Sequence, residues 1–111
     1  MRLYIAGPMT GLPEFNYPAF HVAAEQLGVA GYDVLNPADI DKAHNSDGAK
    51  QAWDWYMRHA LRMVLDADGI ALLYGWQNSR GAALEYKVGC ALQLDVRLLS
   101  QWVNPPKKAA S

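Results

Sequence analysis

The sequence predicts an α/β domain in which helices cover both faces of a parallel sheet. Short apolar runs alternate with segments of helical period in the order β-α-β-α-β-α-β, which is typical of parallel sheets. The run "GIALLY" (69–74) is apolar throughout, as expected for a central parallel strand. With 111 residues, the chain is long enough for one such domain.

The first half of the chain predicts two strands around one helix. The run "RLYIA" (2–6) is rich in β-forming residues and ends at a Gly-Pro pair that begins with Gly7. Pro18 suits the first turn of a helix, which we expect to end near Gly28. The run "YDVLNP" (32–37) then predicts the second strand, stopped by its Asn-Pro pair.

The second half predicts two further helix–strand units. Residues 38–48 are polar without periodicity, which indicates a mobile loop. Apolar residues recur with helical period over 49–65 and predict an amphipathic helix. The apolar strand 69–74 is followed by a helix over 79–94, whose first residue is a serine that can cap it. The last predicted strand is 96–100.

Composition argues against several classes of protein. The chain mixes 10 basic with 11 acidic residues, so we expect no nucleic acid polymer as a partner. No apolar stretch approaches the ~20 residues of a membrane span, so we expect no membrane partner. The single cysteine, Cys90, cannot form an internal disulfide, which fits a cytoplasmic protein. We assign 1–103 to the domain and 104–111 to an exposed C-terminal tail.

Ligands of such sheets bind beyond the carboxyl ends of the strands, where three segments should meet. The first segment is "YIAGPMTG" (4–11). Gly7 and Gly11 let the backbone approach a ligand closely, and Thr10 adds a hydroxyl. The spacing is not that of the GxGxxG dinucleotide pattern. An ordinary strand end is an equally good interpretation of these residues.

The second segment is "NSRGA" (78–82), at the start of the third predicted helix. Ser79 can cap this helix, and the free N–H groups together with the helix dipole favour an anion there. Arg80 can add a fork of donors for a phosphate. The alternative is a normal capped helix with a solvated arginine.

The third segment centres on Glu85, which follows Ser79 by six residues and lies in the same predicted helix. Gly89 leaves space beside it on the same helix face. We expect the helix N-terminus to keep this carboxylate ionised. An ionised, partly desolvated carboxylate can attack an anomeric carbon and hold the sugar as a covalent ester. The alternative is a solvent-facing glutamate on a surface helix.

Other conspicuous residues favour structural interpretations. Trp76 lies in a loop at the same edge of the sheet and could stack on a base, although packing is the commoner role of such a ring. His21, His44 and His59 have no metal-ligand spacing, and no carboxylate cluster suggests a metal. We expect neither a metal nor a cofactor.

Two blocks, "YIAGPMTGLPEFNYPAF" and "ALLYGWQNSRGAALE", resemble those of the phage and bacterial DUF4406 proteins. These proteins are similar to the nucleoside 2-deoxyribosyltransferase superfamily, which includes the deoxynucleoside-monophosphate N-glycosidases. The resemblance covers residues 3 to about 99. It implies a flavodoxin-like (Rossmann-like) three-layer sandwich with four or five parallel strands. It also implies homo-oligomers, dimers or higher, and cleavage of the bond between a base and a (deoxy)ribose.

The resemblance also implies roles for individual residues. Glu85 matches the family nucleophile, and Tyr4 matches the tyrosine that steadies that carboxylate. Residues expected to bind the sugar, phosphate or base of a small nucleoside or nucleotide are Gly7, Pro8, Met9, Thr10, Asn16, Tyr17, Ser79, Arg80 and Gly81. Trp76, which lies in a loop at the same edge of the sheet, is one more candidate for binding the base.

One departure from the family pattern leaves the function open. The superfamily has an aspartate in the second helix, at the position that Ala60 occupies when Asp68 is the reference. Alanine cannot bind a sugar hydroxyl or share a proton with the leaving base, and neither Asp54 nor His59 is an obvious replacement. Three hypotheses therefore stand: an N-glycosidase or deoxyribosyltransferase, a nucleotide-binding module without turnover, and an interaction protein with no small-molecule site.

Overall fold

Four parallel strands form one sheet in the structure, a computed structural model that describes residues 1–40 and 53–104. The strands are β1 (Arg2–Ala6), β2 (Asp33–Leu35), β3 (Gly69–Leu72) and β4 (Asp95–Leu98). They lie in the order β2-β1-β3-β4, and each neighbouring pair is parallel. The predicted α/β class and parallel sheet are confirmed.

Helices cover both faces of the sheet because alternate side chains of each strand point in opposite directions. The helices that position the site are α1 (Tyr17–Val29), α2 (Trp53–Asp66), α3 (Arg80–Ala91) and α4 (Leu99–Val103). Tyr4 and Ala6 of β1 pack with α2 and α3, whereas Leu3 and Ile5 pack with α1 and α4. The resulting three layers are compatible with a flavodoxin-like sandwich.

The direction of winding changes between the two central strands. From β1 the chain passes through α1 to β2 on one side of the sheet. From β3, which lies on the other side of β1, it passes through α3 to β4. The crevice beyond the carboxyl ends of β1 and β3 is therefore a topological switch point, the usual ligand site of an open parallel sheet.

The ends of two predicted strands differ from the structure. The third strand ends at Leu72 rather than at residue 74, and Tyr74 is fully exposed. The last strand ends at Leu98, where the chain turns into α4, a helix too short to show a helical period in the sequence. Trp102 of α4 is buried, and its Nε1 donates to the carbonyl oxygen of Ile70 at 2.9 Å, which fixes α4 against the sheet.

Three predicted segments extend beyond the described residues. The loop predicted over 38–48 is described only to Ile40, and the helix predicted over 49–65 only from Trp53. The predicted tail over 104–111 is described only at Asn104. In the described ranges, no helix combines the length and the apolar character that crossing a membrane requires.

Gly69, the first residue of β3, leaves no room for a side chain. An added Cβ would lie 2.7 Å from the carbonyl oxygen of Asp95 and 3.0 Å from Cζ2 of Trp102. We expect Gly69→Ala to lower the free energy of unfolding by about 2 kcal/mol or more, because the backbone of β4 must move. Chemical denaturation measures this change.

Gly28→Ala on α1 is the matched control. Nothing lies within 4 Å of an added Cβ at this position. Alanine should leave the stability unchanged or raise it by up to ~1 kcal/mol, because it favours the helix more than glycine does. Equal stabilities of the two variants would contradict the steric argument.

Candidate active site

Glu85 and Tyr4 meet in the interior of the domain at the switch point. The Tyr4 hydroxyl, on β1, donates a hydrogen bond to Oε2 of Glu85, on α3. Tyr4 is fully buried, and Glu85 is only 4% exposed. The alternative interpretation of Glu85 as a solvent-facing residue on a surface helix is therefore excluded.

The start and the packing of α3 place Glu85 in the interior. Ser79 is the N-cap, as predicted, and its Oγ accepts a hydrogen bond from the N–H of Ala82 at 3.2 Å. Gly89, one turn after Glu85, faces the sheet so closely that an added Cβ would collide with Cδ1 of Ile70. Ile70 thus fills the space that Gly89 leaves, and the close approach of α3 to β3 buries the carboxyl group.

Burial gives Glu85 a protonation state that differs from the predicted one. Removal from water raises the pKa of Glu85 from 4.5 to about 8, and the hydrogen bond from Tyr4 lowers it only in part. The dipole of a helix acts mainly within its first turn, whereas Glu85 lies in the second turn of α3. The expectation of a fully ionised carboxylate is therefore wrong, since only about a tenth of a group with this pKa is ionised at pH 7.

The pKa of the Tyr4 phenol is raised as well. Burial, the negative charge of Glu85 and the nearby Tyr56 each raise the pKa of Tyr4 well above its ordinary value. Tyr4 therefore keeps its proton and remains a donor to Glu85 when the carboxyl group ionises. The pair is one buried unit with a single carboxyl group that can gain or lose a proton near neutral pH.

A cavity of about 210 Å³ adjoins this pair. It lies among the loop after β1, the start of α3 and one face of α2. The predicted site residues that line it are Tyr4, Gly7, Met9, Thr10, Tyr17, Ser79, Arg80, Gly81 and Glu85. The three segments chosen from the sequence therefore do meet at one place in the fold.

Gly7 has a structural role at this place. An added Cβ would lie 2.8 Å from Cβ of Leu73, so the glycine allows the chain to leave β1 beside the end of β3. Because of this close packing, Gly7 forms part of the cavity wall.

The end of the cavity next to α3 is electropositive. The first N–H groups of a helix, here those of Arg80 and Gly81, have no partner inside the helix and carry its positive partial charge. Cζ of Arg80 lies 3.9 Å from the ring centroid of Trp53, a cation–π contact that orients the guanidinium group. Among the described lining residues, Arg80 is the only cation and Glu85 the only carboxylic acid. This end of the cavity suits an anionic ligand group.

Three predicted site residues lie outside the cavity wall: Pro8, Asn16 and Trp76. The Nδ2 of Asn16 donates to the carbonyl oxygen of Pro8 at 3.0 Å, a contact that fixes the loop after β1. Trp76 stacks on Tyr86 with ring centroids 4.5 Å apart, and its buried Nε1 meets no acceptor among the described residues. A direct contact of these three residues with a ligand stays a prediction.

Several lining residues were not identified from the sequence as part of the site. They are Phe15, Phe20, Pro37, Trp53, Tyr56, Met57 and Ala82. Trp53, Tyr56 and Met57 lie three and four residues apart on one face of α2, which the sequence shows as an apolar helix face. That spacing marks a buried face but does not distinguish a core contact from a cavity wall.

The turn before α1 has an unusual backbone. Glu14, Phe15 and Asn16 have φ values of 53°, 52° and 60°, in the left-handed region that residues with a Cβ seldom adopt. The turn places the Phe15 ring at the cavity, 5.8 Å from the ring of Tyr17. Backbone strain of this kind concentrates at functional sites, and its position next to the cavity supports a site here.

Ala60, the position at which the sequence resemblance led us to expect an aspartate, is part of the core. Ala60 is fully buried in the same apolar cluster as Tyr4 and Met57 and does not line the cavity. Across residues 1–40 and 53–104, no group of three or more His, Cys, Asp or Glu side chains could hold a metal ion.

Comparison with known proteins identifies the family. A search of curated proteins finds no match to the chain. The model of the family described as Domain of unknown function (DUF4406) matches residues 1–98, which include both members of the Tyr4–Glu85 pair. The chain therefore belongs to the DUF4406 family, as its two sequence blocks predicted.

Proposed function

We propose that the chain is an N-glycosidase or deoxyribosyltransferase that acts on a small nucleoside or nucleotide, with Glu85 as the nucleophile. The observation that carries this proposal is the buried Tyr4–Glu85 pair beside a cavity at the switch point of the sheet. The similarity of the two sequence blocks to the nucleoside 2-deoxyribosyltransferase superfamily supports the reaction class. In that superfamily a glutamate attacks the sugar and a tyrosine holds the glutamate.

The proposed reaction has two steps. An oxygen of ionised Glu85 attacks C1′, the bond from C1′ to the base breaks, and the sugar remains as an ester of Glu85. Water then releases the sugar, or a second base accepts it. The hydrogen bond from Tyr4 stabilises the carboxylate form and orients it. Burial removes the water that would otherwise shield the attacking oxygen.

The electropositive end of the cavity supports a 5′-phosphate on the substrate. The N-terminus of α3 and the guanidinium group of Arg80 both favour an anion. Ser79 uses its oxygen to cap the helix, and its hydroxyl hydrogen can still donate to a phosphate. A nucleoside monophosphate therefore fits this end of the cavity better than an uncharged nucleoside.

A nucleotide-binding module without turnover is the second candidate. Two observations favour it: an alanine at the position of the superfamily aspartate and a carboxyl group that is mostly protonated at pH 7. Such a domain would use the same cavity to sense or sequester a nucleotide. The oligomeric state that the family resemblance implies stays a prediction under both candidates.

A panel of deoxynucleosides and their 5′-monophosphates tests the proposed function. We expect chromatography to show free base released from at least one member, with faster release from a monophosphate than from its nucleoside. Calorimetry on the same panel measures binding. Tight nucleotide binding without base release would favour the binding module. The absence of both binding and release would exclude both candidates.

A further inference from the structure

A 5′-phosphate on the proposed substrate needs a cation held at the start of α3, and the inference below rests on that proposed function. Arg80 is the only cation among the described lining residues, and its side chain is exposed. An exposed arginine that nothing holds samples many rotamers, and ordering it costs part of the binding free energy. A contact that fixes the guanidinium group before a ligand arrives would therefore strengthen the binding of a phosphate.

No described carboxylate holds Arg80 in place. The arginine that forms an ion pair within the described ranges is Arg97, whose partner Asp95 lies outside the cavity. Glu85, the only described carboxylic acid in the cavity wall, accepts a hydrogen bond from Tyr4. The positive charge of Arg80 is therefore not neutralised by a described side chain.

The contact that Arg80 does make is with an aromatic ring. Its Cζ lies over the ring of Trp53, 3.9 Å from the centroid. A guanidinium group is flat, and its five N–H donors point outward in its own plane. A ring against its face therefore fixes the cation without using the donors that a phosphate needs.

The ring of Trp53 is itself anchored between two helices. It packs against the apolar cluster that contains Tyr4 and Met57, and it lines the cavity. Its Nε1 lies 3.8 Å from the position that a Cβ on Gly81 would take, so the ring borders the first turn of α3. We propose that Trp53 is a positioning residue that holds Arg80 at the phosphate end of the cavity and so makes the protein prefer nucleoside 5′-monophosphates to nucleosides.

This arrangement lets one helix engage both ends of the substrate. Arg80 and Glu85 are five residues apart on α3, which corresponds to about 7.5 Å along the helix axis. A ribose spans a comparable distance between its 5′-phosphate and C1′. A phosphate bound by Arg80 therefore brings C1′ toward Glu85, and Trp53 contributes through Arg80.

Calorimetry with the four common 2′-deoxynucleosides and their 5′-monophosphates tests this role. For each base we take the ratio of the Kd of the nucleoside to the Kd of the monophosphate, because a residue that only shapes the cavity changes both values alike. Arg80→Leu should lower this ratio by roughly 10- to 100-fold. Trp53→Leu should lower it by about 2- to 5-fold, as expected for the loss of an exposed cation–π contact. Trp53→Phe keeps an aromatic face and should lower it less.

A double variant shows whether Trp53 acts through Arg80. In an Arg80→Leu background, Trp53→Leu should leave the ratio unchanged, because no cation remains to be held. Arg97→Leu is the matched control, since Cζ of Arg97 also lies over a tryptophan ring, 4.8 Å from the centroid of Trp102, but outside the cavity. This control should keep the ratio of the wild type. Circular dichroism confirms that each variant is folded.

Kinetics on the same variants give a second readout. The phosphate takes no part in bond breaking, so its contacts are the same in the bound substrate and in the transition state. Trp53→Leu should therefore raise KM for the monophosphate with kcat nearly unchanged, and both constants for the nucleoside should stay as they are. An equal fall of kcat on both substrates would contradict the positioning role.

Three results of the binding experiment would overturn the inference. An equal loss of affinity for nucleoside and monophosphate in Trp53→Leu would mean that the ring only shapes the cavity. An equal fall of the ratio with and without Arg80 would mean that Trp53 acts independently of the cation. A wild-type ratio near one, or no binding at all, would mean that the protein does not select a phosphate.

The failure of the proposed function would be a different result. If the ratios follow the expected pattern but the wild type releases no base from any member of the panel, the proposed reaction fails. The positioning role of Trp53 would then stand as a property of a nucleotide-binding site.

Discussion

Glu85→Gln should abolish base release and leave the domain folded. Glutamine has almost the shape of glutamate, and its Oε1 can accept the hydrogen bond that Tyr4 donates to the carboxyl group. Its amide cannot form the ester with C1′ that the proposed reaction requires. We expect the rate of base release to fall by roughly 10³-fold or more. Chromatography on the best substrate of the panel measures this rate.

Glu25→Gln is the control for the change of charge. Glu25 is an exposed residue of α1 that does not line the cavity, so its substitution should leave the rate unchanged. Circular dichroism should show the same helical content in both variants. Equal rates of base release by the wild type and Glu85→Gln would exclude Glu85 as the nucleophile.

The same variant also bears on the binding-module candidate. Glu85 is mostly protonated at pH 7, so an uncharged glutamine changes the electrostatics of the empty cavity little. Nucleotide affinity measured by calorimetry should therefore change only a few-fold. Loss of release with retained affinity would separate the chemical step from binding, which a protein without turnover cannot show.

Much of the fold follows from local sequence pattern. The apolar run that contains β3 and the turn that begins at Gly7 are local features, so the strands and their parallel arrangement could be predicted. The helix α4 could not be predicted, because five residues are too few to show a helical period. Its position depends on the hydrogen bond from Trp102 to Ile70, which joins residues far apart in sequence.

The site could be predicted only in part, because some of its features are local in sequence and others depend on long-range contacts. Ser79 as a helix cap is a local feature, and the pairing of Tyr4 with Glu85 was expected only from the resemblance to the deoxyribosyltransferase superfamily. The protonation of Glu85 could not be predicted, because burial depends on the approach of α3 to Ile70. Tyr56 was missed because a cavity wall and a core share the same helical spacing.

The stability of the wild type should fall as the pH rises from 5 to 9. Glu85 has a pKa of about 8 in the folded chain and an ordinary value of 4.5 when it is exposed. The folded state therefore holds a proton between these two values that the unfolded state has lost. Stability from this group is fully present below pH 4.5 and is lost as the pH rises through about 8.

The size of this effect makes it measurable. The difference between the two pKa values corresponds to about 5 kcal/mol, which is comparable to the whole stability of a small domain. Glu85→Gln removes the titrating group, so this variant should equal the wild type near pH 5 and exceed it clearly at pH 9. Urea denaturation of both proteins at several pH values isolates Glu85 from the other titrating groups. If the free energies of unfolding of the wild type and Glu85→Gln differed by the same amount at every pH in this range, Glu85 would not titrate with a raised pKa.

The rate of catalysis should rise as Glu85 ionises, whereas the stability of the domain falls. If ionised Glu85 attacks the sugar, kcat/KM should rise about tenfold per pH unit below pH 8 and level off above it, while the domain loses stability. A buried carboxyl group that only packed against Tyr4 would give the loss of stability without the gain in rate. A rate that falls through pH 8 would make the protonated form the active one, and Glu85 would then be an acid rather than the nucleophile. The two profiles measured on one protein therefore decide whether the burial of Glu85 serves the reaction.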